Sequence, residues 1–114
     1  MKRKQKLVIY KLVSAGRTKG IQLATFLAEE KREAEYQEAI AKNAELSKES
    51  QRIRDDLHRT WTADYDDLKG KITAVNEVIE SDLEEIKKKL EGADRVVSFL
   101  GKLDELVDLA RKAL

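Results

Sequence analysis

The sequence predicts an all-α protein. Its long helices pair as an antiparallel hairpin or coiled coil, or fold into a small helical bundle, and further copies of the chain complete the assembly. Three observations lead there. Proline is absent and glycine occurs five times in 114 residues, so almost nothing in the chain is built to interrupt a helix. Charged residues, Glu and Lys prominent among them, make up 39% of the chain, a composition typical of helices and coiled coils. Finally, apolar residues between Leu46 and Val97 recur at a helical period.

That period is the strongest signal. Leu46, Leu57, Leu68, Ile79 and Leu90 stand on one row, eleven residues apart. Trp61, Ile72 and Leu83 form a second row, and Ile53, Val75, Ile86 and Val97 a third. Eleven residues over three turns lies close to the natural helical pitch, so the stripe runs straight or drifts slightly right-handed.

Taken in order, Met1–Lys6 is a basic polar tail, mobile without a partner. Leu7–Val13, rich in β-branched and aromatic residues, suits either a short strand or a short buried helix. Ser14–Gly20, with two glycines, a serine and a threonine, has the composition of a loop. The chain therefore divides into a basic arm with its loop, 1–20, and a helical domain, 21–114. No glycine or proline occurs from Ile21 to Lys69, which predicts one helix over 21–69, about 70 Å long at 1.5 Å per residue. Its first half carries only a thin, alanine-rich stripe: Ala34, Tyr36, Ala39, Ile40, Ala44 and Leu46. Such a stripe buries little area by itself and needs a partner helix.

Gly70 permits either a break or a continuation. A second helix follows over about 71–91, and a break at Gly70 would let the rich stripe fold back over the poorer one. Gly92 is a better terminator, with Lys87–Lys89 before it and Asp94 placed to cap a last helix over about 94–113. This last helix is apolar over more than half its circumference and must be covered on more than one side. Acid-to-base pairs four residues apart, such as Glu38/Lys42 and Asp67/Lys71, support the helices and carry no functional information. The residues expected at helix–helix interfaces are Leu57, Trp61, Leu68, Ile72, Ile79, Leu83, Ile86, Leu90, Val97, Leu100, Leu103 and Val107.

Charge is unevenly spread. Lys2, Arg3, Lys4, Lys6, Lys11, Arg17 and Lys19 all precede Glu29, the first acid, so the first 28 residues carry +7. The rest, with 16 basic and 22 acidic residues, carries −6. Those seven cations form a candidate contact arm for DNA, RNA or an anionic surface.

Chemistry is sparsely represented. Cysteine is absent, which removes thiolate nucleophiles and sulfur-ligated metals and is compatible with the cytoplasm. No apolar run is long enough for a membrane span, and Leu7–Val13 is too short for a signal-peptide core. Asp55 and His58, the only histidine, have the spacing of a carboxylate-x-x-His metal motif, but a di-metal site needs two such motifs. Asp64/Asp66/Asp67 and Asp82/Glu84/Glu85 lack the calcium-loop pattern and are expected on solvated helix faces. Ser14, Ser47, Ser50, Ser81 and Ser98 lack a nucleophile elbow. Gly16-Arg-Thr-Lys-Gly20 has three residues between its glycines where a phosphate loop has four. No catalytic, cofactor-binding or metal-binding residue is assigned. The functional expectation is a non-enzymatic structural or adaptor protein that associates through helices, with itself as homodimer or larger oligomer, or with another helical protein. The alternative is a nucleic-acid-associated protein using the basic arm, with the helices for dimerisation.

Overall fold

The computed structural model describes residues 1–88 and 92–113, the side chains of 92–94 excepted. They form a four-helix bundle: α1 (Arg3–Glu29), α2 (Glu33–Asp55), α3 (Tyr65–Lys87) and α4 (Gly92–Lys112). No strand occurs among the described residues. The bundle measures 43 × 21 × 16 Å. No helix in it is long and apolar enough to cross a membrane.

The order of helices around the bundle is α1, α2, α4, α3. Each sequential pair, α1/α2 and α3/α4, is an antiparallel hairpin. The hairpins lie side by side with α1 parallel to α3 and α2 parallel to α4. The link from α2 to α3 crosses the base of the bundle diagonally. α2 and α3 therefore occupy opposite corners, and α1 reaches α4 across the other diagonal.

The expected 21–69 helix does not form. It breaks first at Glu30–Arg32, where Lys31 adopts φ 57° in the left-handed region. Arg32 N–H donates to Leu27 O (2.9 Å) and Lys31 N–H to Ala28 O (3.1 Å). This is a complete Schellman ending with lysine where glycine is usual, so residue type did not betray it. The second break spans Asp56–Asp64. Thr60, Trp61, Thr62 and Asp64 are weak helix formers; Asp64 takes the N-cap position of α3 with extended backbone, and Asp66 and Asp67 occupy the first turn, where anions complement the helix dipole.

One further expectation changes and two open alternatives are decided. Leu7–Val13 is helical, and Ser14–Gly20 is not a loop but the middle of α1, which runs straight through the boundary set between arm and body at residue 20. Gly70 lies inside α3 and interrupts nothing. The final helix forms as α4; the capping role expected of Asp94 falls on a side chain outside the described set.

Why α1 tolerates two interior glycines is visible in the packing. Gly16 and Gly20, one turn apart on one face, are both buried. Leu106 and Leu103 of α4 approach them across the diagonal, while Asn76 of α3 and Asn43 of α2 lie against them from either side. Asn76 Nδ2 donates to Leu12 O and Asn43 Nδ2 to Gly20 O, each at 2.9 Å. The Oδ1 of each asparagine is buried without a hydrogen-bond partner among the described residues. Side chains at positions 16 and 20 would hold the other three helices away, so the glycines set how tightly the bundle closes.

Buried polar groups tie the remaining corners. Asp82, 1% exposed, accepts from Ser98 Oγ (2.6 Å) and pairs with Arg95 (3.2 Å), joining α3 to α4. Glu49 pairs with Arg52 (2.7 Å) and with Arg111 of α4 (3.4 Å). Arg52 also donates to Ala110 O and Arg111 O, satisfying carbonyls at the end of α4. At the base, Trp61 is buried, donates Nε1–H to Asp56 O (3.0 Å) and lies beneath the Lys6 ammonium, 5.7 Å from the ring centre.

Candidate interaction face

Most residues expected at helix–helix interfaces do lie between helices, within one chain. Trp61, Leu68, Ile72, Ile79, Leu83, Ile86, Leu100, Leu103 and Val107 are core residues, and Leu57 packs half-buried against them. Because the bundle itself covers these side chains, they do not offer a surface to another molecule. Val97 is the correction: it is 70% exposed. Continuing the row from Ile86 placed it inward, but α4 begins afresh at Gly92 with its own phase, set by Val96, Phe99 and Leu103. Leu90 lies outside the described residues.

The basic arm is likewise rearranged, because it is helical. Lys2, Arg3, Lys4 and Lys11 are exposed. Lys6 instead turns inward, its Nζ donating to Leu57 O (3.0 Å) and to Arg59 O beyond the end of α2. Arg17 and Lys19 are half-buried on the body of the bundle. The seven cations therefore do not act as one mobile arm.

The other constellations separate into structural roles. α2 ends at Asp55, so Asp55 and His58 do not share a helix face, and both are exposed. No group of three or more metal-ligating side chains occurs among the described residues. Asp82, expected on a solvated face, is the buried clasp between α3 and α4, while Ser14 Oγ lies 3.4 Å from Ser50 Oγ where α1 meets α2.

What sequence reading missed is the outer side of the α1/α2 hairpin. The inward face of α1 uses Ile9, Val13, Leu23 and Leu27, and α2 offers Ala39, Leu46 and Ile53. Adjacent positions on both helices look outward over an open trough of about 550 Å³. Ile21 and Ala28 of α1 face Tyr36, Ile40 and Ala44 of α2 across it, and Ala24 and Asn43 form its floor. Ile21 is 48% exposed and Ile40 38%, and Ala28 and Ala44 are exposed as well. Asn43, which lines the trough, is bonded to Gly20 O of α1. The thin alanine-rich stripe was its only trace in the sequence.

Charge is polarised along this face. Arg17 lines one end and Glu29 the other. Arg17 and Glu29 make no ion pair with another described residue. Together, fold and face define a class: a four-helix bundle of two crossed-over hairpins with one apolar, charge-bracketed outer surface. No protein-family model, curated protein or solved structure matches the chain.

Proposed function

We propose that this is a non-enzymatic structural or adaptor protein that works by helix–helix association through the outer face of α1 and α2, with the cytoplasm as the compartment its cysteine-free composition accommodates. The observation that carries this reading is the trough between Ile21 and Ile40, two large aliphatic side chains left in solvent with small residues between them. A solvated helix face normally carries polar side chains at such positions, and contiguous exposed apolar surface marks an association site. Small residues let an incoming helix approach closely, and the isoleucines supply the area buried.

A photo-crosslinking residue placed at Ala44, and separately at the exposed Glu77 on the outside of α3, tests this reading in cells making the protein. Adducts mapped by mass spectrometry to helical segments should form from position 44 and not from position 77. Equal labelling from both, or none from position 44, refutes it.

A second reading, nucleic-acid association, rests on Lys2 at the N-cap and Arg3, Lys4 and Lys11 of α1, which are exposed and have no ion-pair partner among the described residues. Binding to duplex or single-stranded oligonucleotides should then fall steeply with salt, and Lys4→Glu with Lys11→Glu should abolish it. Salt-independent binding would remove this reading.

A further inference from the structure

We propose that the occupant of the α1/α2 face is a second copy of the same chain, seated antiparallel, so that the protein is a two-fold dimer held by its own charge pattern. This inference rests on the association reading above and names its partner.

The reasoning begins with symmetry. A two-fold interface pairs the same surface with itself, so it must be self-complementary. The α1/α2 face carries a cation at one end, Arg17, and an anion at the other, Glu29. The midpoint between them on α1 is Leu23, which lies level with Ile40 of α2, because Gly20 meets Asn43 one turn away. A two-fold axis in the plane of the face, crossing both helices at that level, sets α1 on α1 and α2 on α2 in opposite directions. Arg17 then meets Glu29 of the other copy, and the pair occurs twice. The apolar trough lies between the charged ends, where packing excludes water.

An axis running along the helices would instead set like charges together. A partner with no such polarity would leave Arg17 and Glu29 facing apolar surface.

The opposite side of the bundle also exposes aliphatic residues, Val78 and Val97. It lacks this logic. Charges of both signs mingle there at one level, and several are already paired within the chain, Lys71 with Asp67 at 3.0 Å and Lys102 with Glu105 at 3.1 Å.

Size sets the expected strength. The twelve residue-to-residue steps from Arg17 to Glu29 span about 18 Å at 1.5 Å per step. Across the 21 Å width of the bundle this amounts to roughly 400 Å² per copy. That is about half of a standard interface, so the dimer should be concentration-dependent, with a Kd roughly in the micromolar to hundred-micromolar range.

Sedimentation velocity of the full chain across a concentration series tests the proposal, with circular dichroism confirming that each variant folds. The wild-type chain should shift from monomer to dimer. Ala44→Glu should hold it monomeric, whereas Ala74→Glu, on the α3/α4 side, should leave the dimer intact. Arg17→Glu and Glu29→Arg should each weaken dimerisation by about tenfold or more, because like charges then face each other twice. An equimolar mixture of these two variants should dimerise again, since every contact between them pairs opposite charges; no effect on the fold alone yields that rescue. A chain that stays monomeric to about 1 mM overturns the proposal. So does a dimer indifferent to Ala44→Glu, or a mixture that fails to recover. A monomeric chain whose position 44 still crosslinks to another protein would sink the dimer and leave the association reading standing.

Discussion

Alanine substitution at four glycines should separate helix propensity from packing, with opposite signs in one protein. Gly16, Gly20, Gly70 and Gly101 all lie within helices, so propensity alone predicts that each Gly→Ala change stabilises by about 1 kcal/mol. The surroundings differ. A Cβ at Gly70 or Gly101 would meet nothing within 4 Å, and both sites are exposed, so the full gain of about 0.5–1 kcal/mol should be seen. A Cβ at Gly16 would lie 2.7 Å from Asn76 Oδ1 and closer still to Leu106 Cδ2. One at Gly20 would collide with Asn43 Oδ1, and real Cβ atoms essentially never come within 3.0 Å of a neighbour. Neither asparagine can swing away freely, because its Nδ2 is bonded to a carbonyl of α1, and Leu106 is fully buried.

Overpacking of this kind costs about 1–3 kcal/mol, and loss of the asparagine hydrogen bond adds about 1 kcal/mol. Set against the propensity gain, Gly16→Ala and Gly20→Ala should destabilise by about 1–3 kcal/mol. The two classes of variant would then differ by about 2–4 kcal/mol. In thermal melting that is roughly 8–16 °C at about 4 °C per kcal/mol for a chain of this size. Urea denaturation followed by far-UV circular dichroism gives the free energies directly, with an unchanged slope showing that the denatured state is not altered. The Gly20→Ala/Asn43→Ala double variant should recover about 1–2 kcal/mol relative to the sum of the single changes. If Gly16→Ala and Gly20→Ala are as stable as the parent chain, the close approach of three helices to α1 is wrong.

Other expectations follow from single contacts. Lys31→Gly should stabilise by about 0.5–1 kcal/mol in the same denaturation assay, since the left-handed C′ position carries no Cβ penalty for glycine; a loss of stability would argue against the Schellman ending. Lys6→Met should cost about 1–2 kcal/mol, because the carbonyls of Leu57 and Arg59 lose their donor at the covered base of the bundle, and Trp61 fluorescence should report the opening. Asp82→Ala should cost about 2–4 kcal/mol by leaving Ser98 and Arg95 without their shared acceptor, whereas the exposed Asp66→Ala should cost under about 1 kcal/mol. Equal effects at positions 82 and 66 would contradict the burial of Asp82.

The all-α class was legible because composition and period report the environment of each residue, and the buried rows Leu46/Leu68/Ile79 and Ile53/Val75/Ile86 are those the spacing marked. The breaks were not. Periodicity says which residues face a core, not whether successive turns belong to one helix. α2 and α3 face the same core from opposite corners, so their stripes join in phase across a nine-residue link that is not helical. A left-handed lysine ends α1 through the helix's own terminal hydrogen bonds, with no glycine to mark the stop. Gly16 and Gly20, in a stretch whose composition suits a loop, are buried within α1, where tertiary contact overrides residue type.

The outer face illustrates a different limit. The weak stripe of α2 needs a partner helix, and it meets two within the chain. Ala39 and Leu46 are buried in the core, and Asn43 bonds to α1. What remains without a partner is a second strip, about a quarter-turn further round, where Ile40 and Ala44 stand beside Ile21 and Ala28 of the other helix. Neither helix shows that strip as amphipathic by itself, because each contributes only two or three residues to it. The strip exists only once the hairpin closes. Folded, Arg17 and Glu29 stand at its two ends with opposite signs, which is the property that a two-fold contact between identical chains requires.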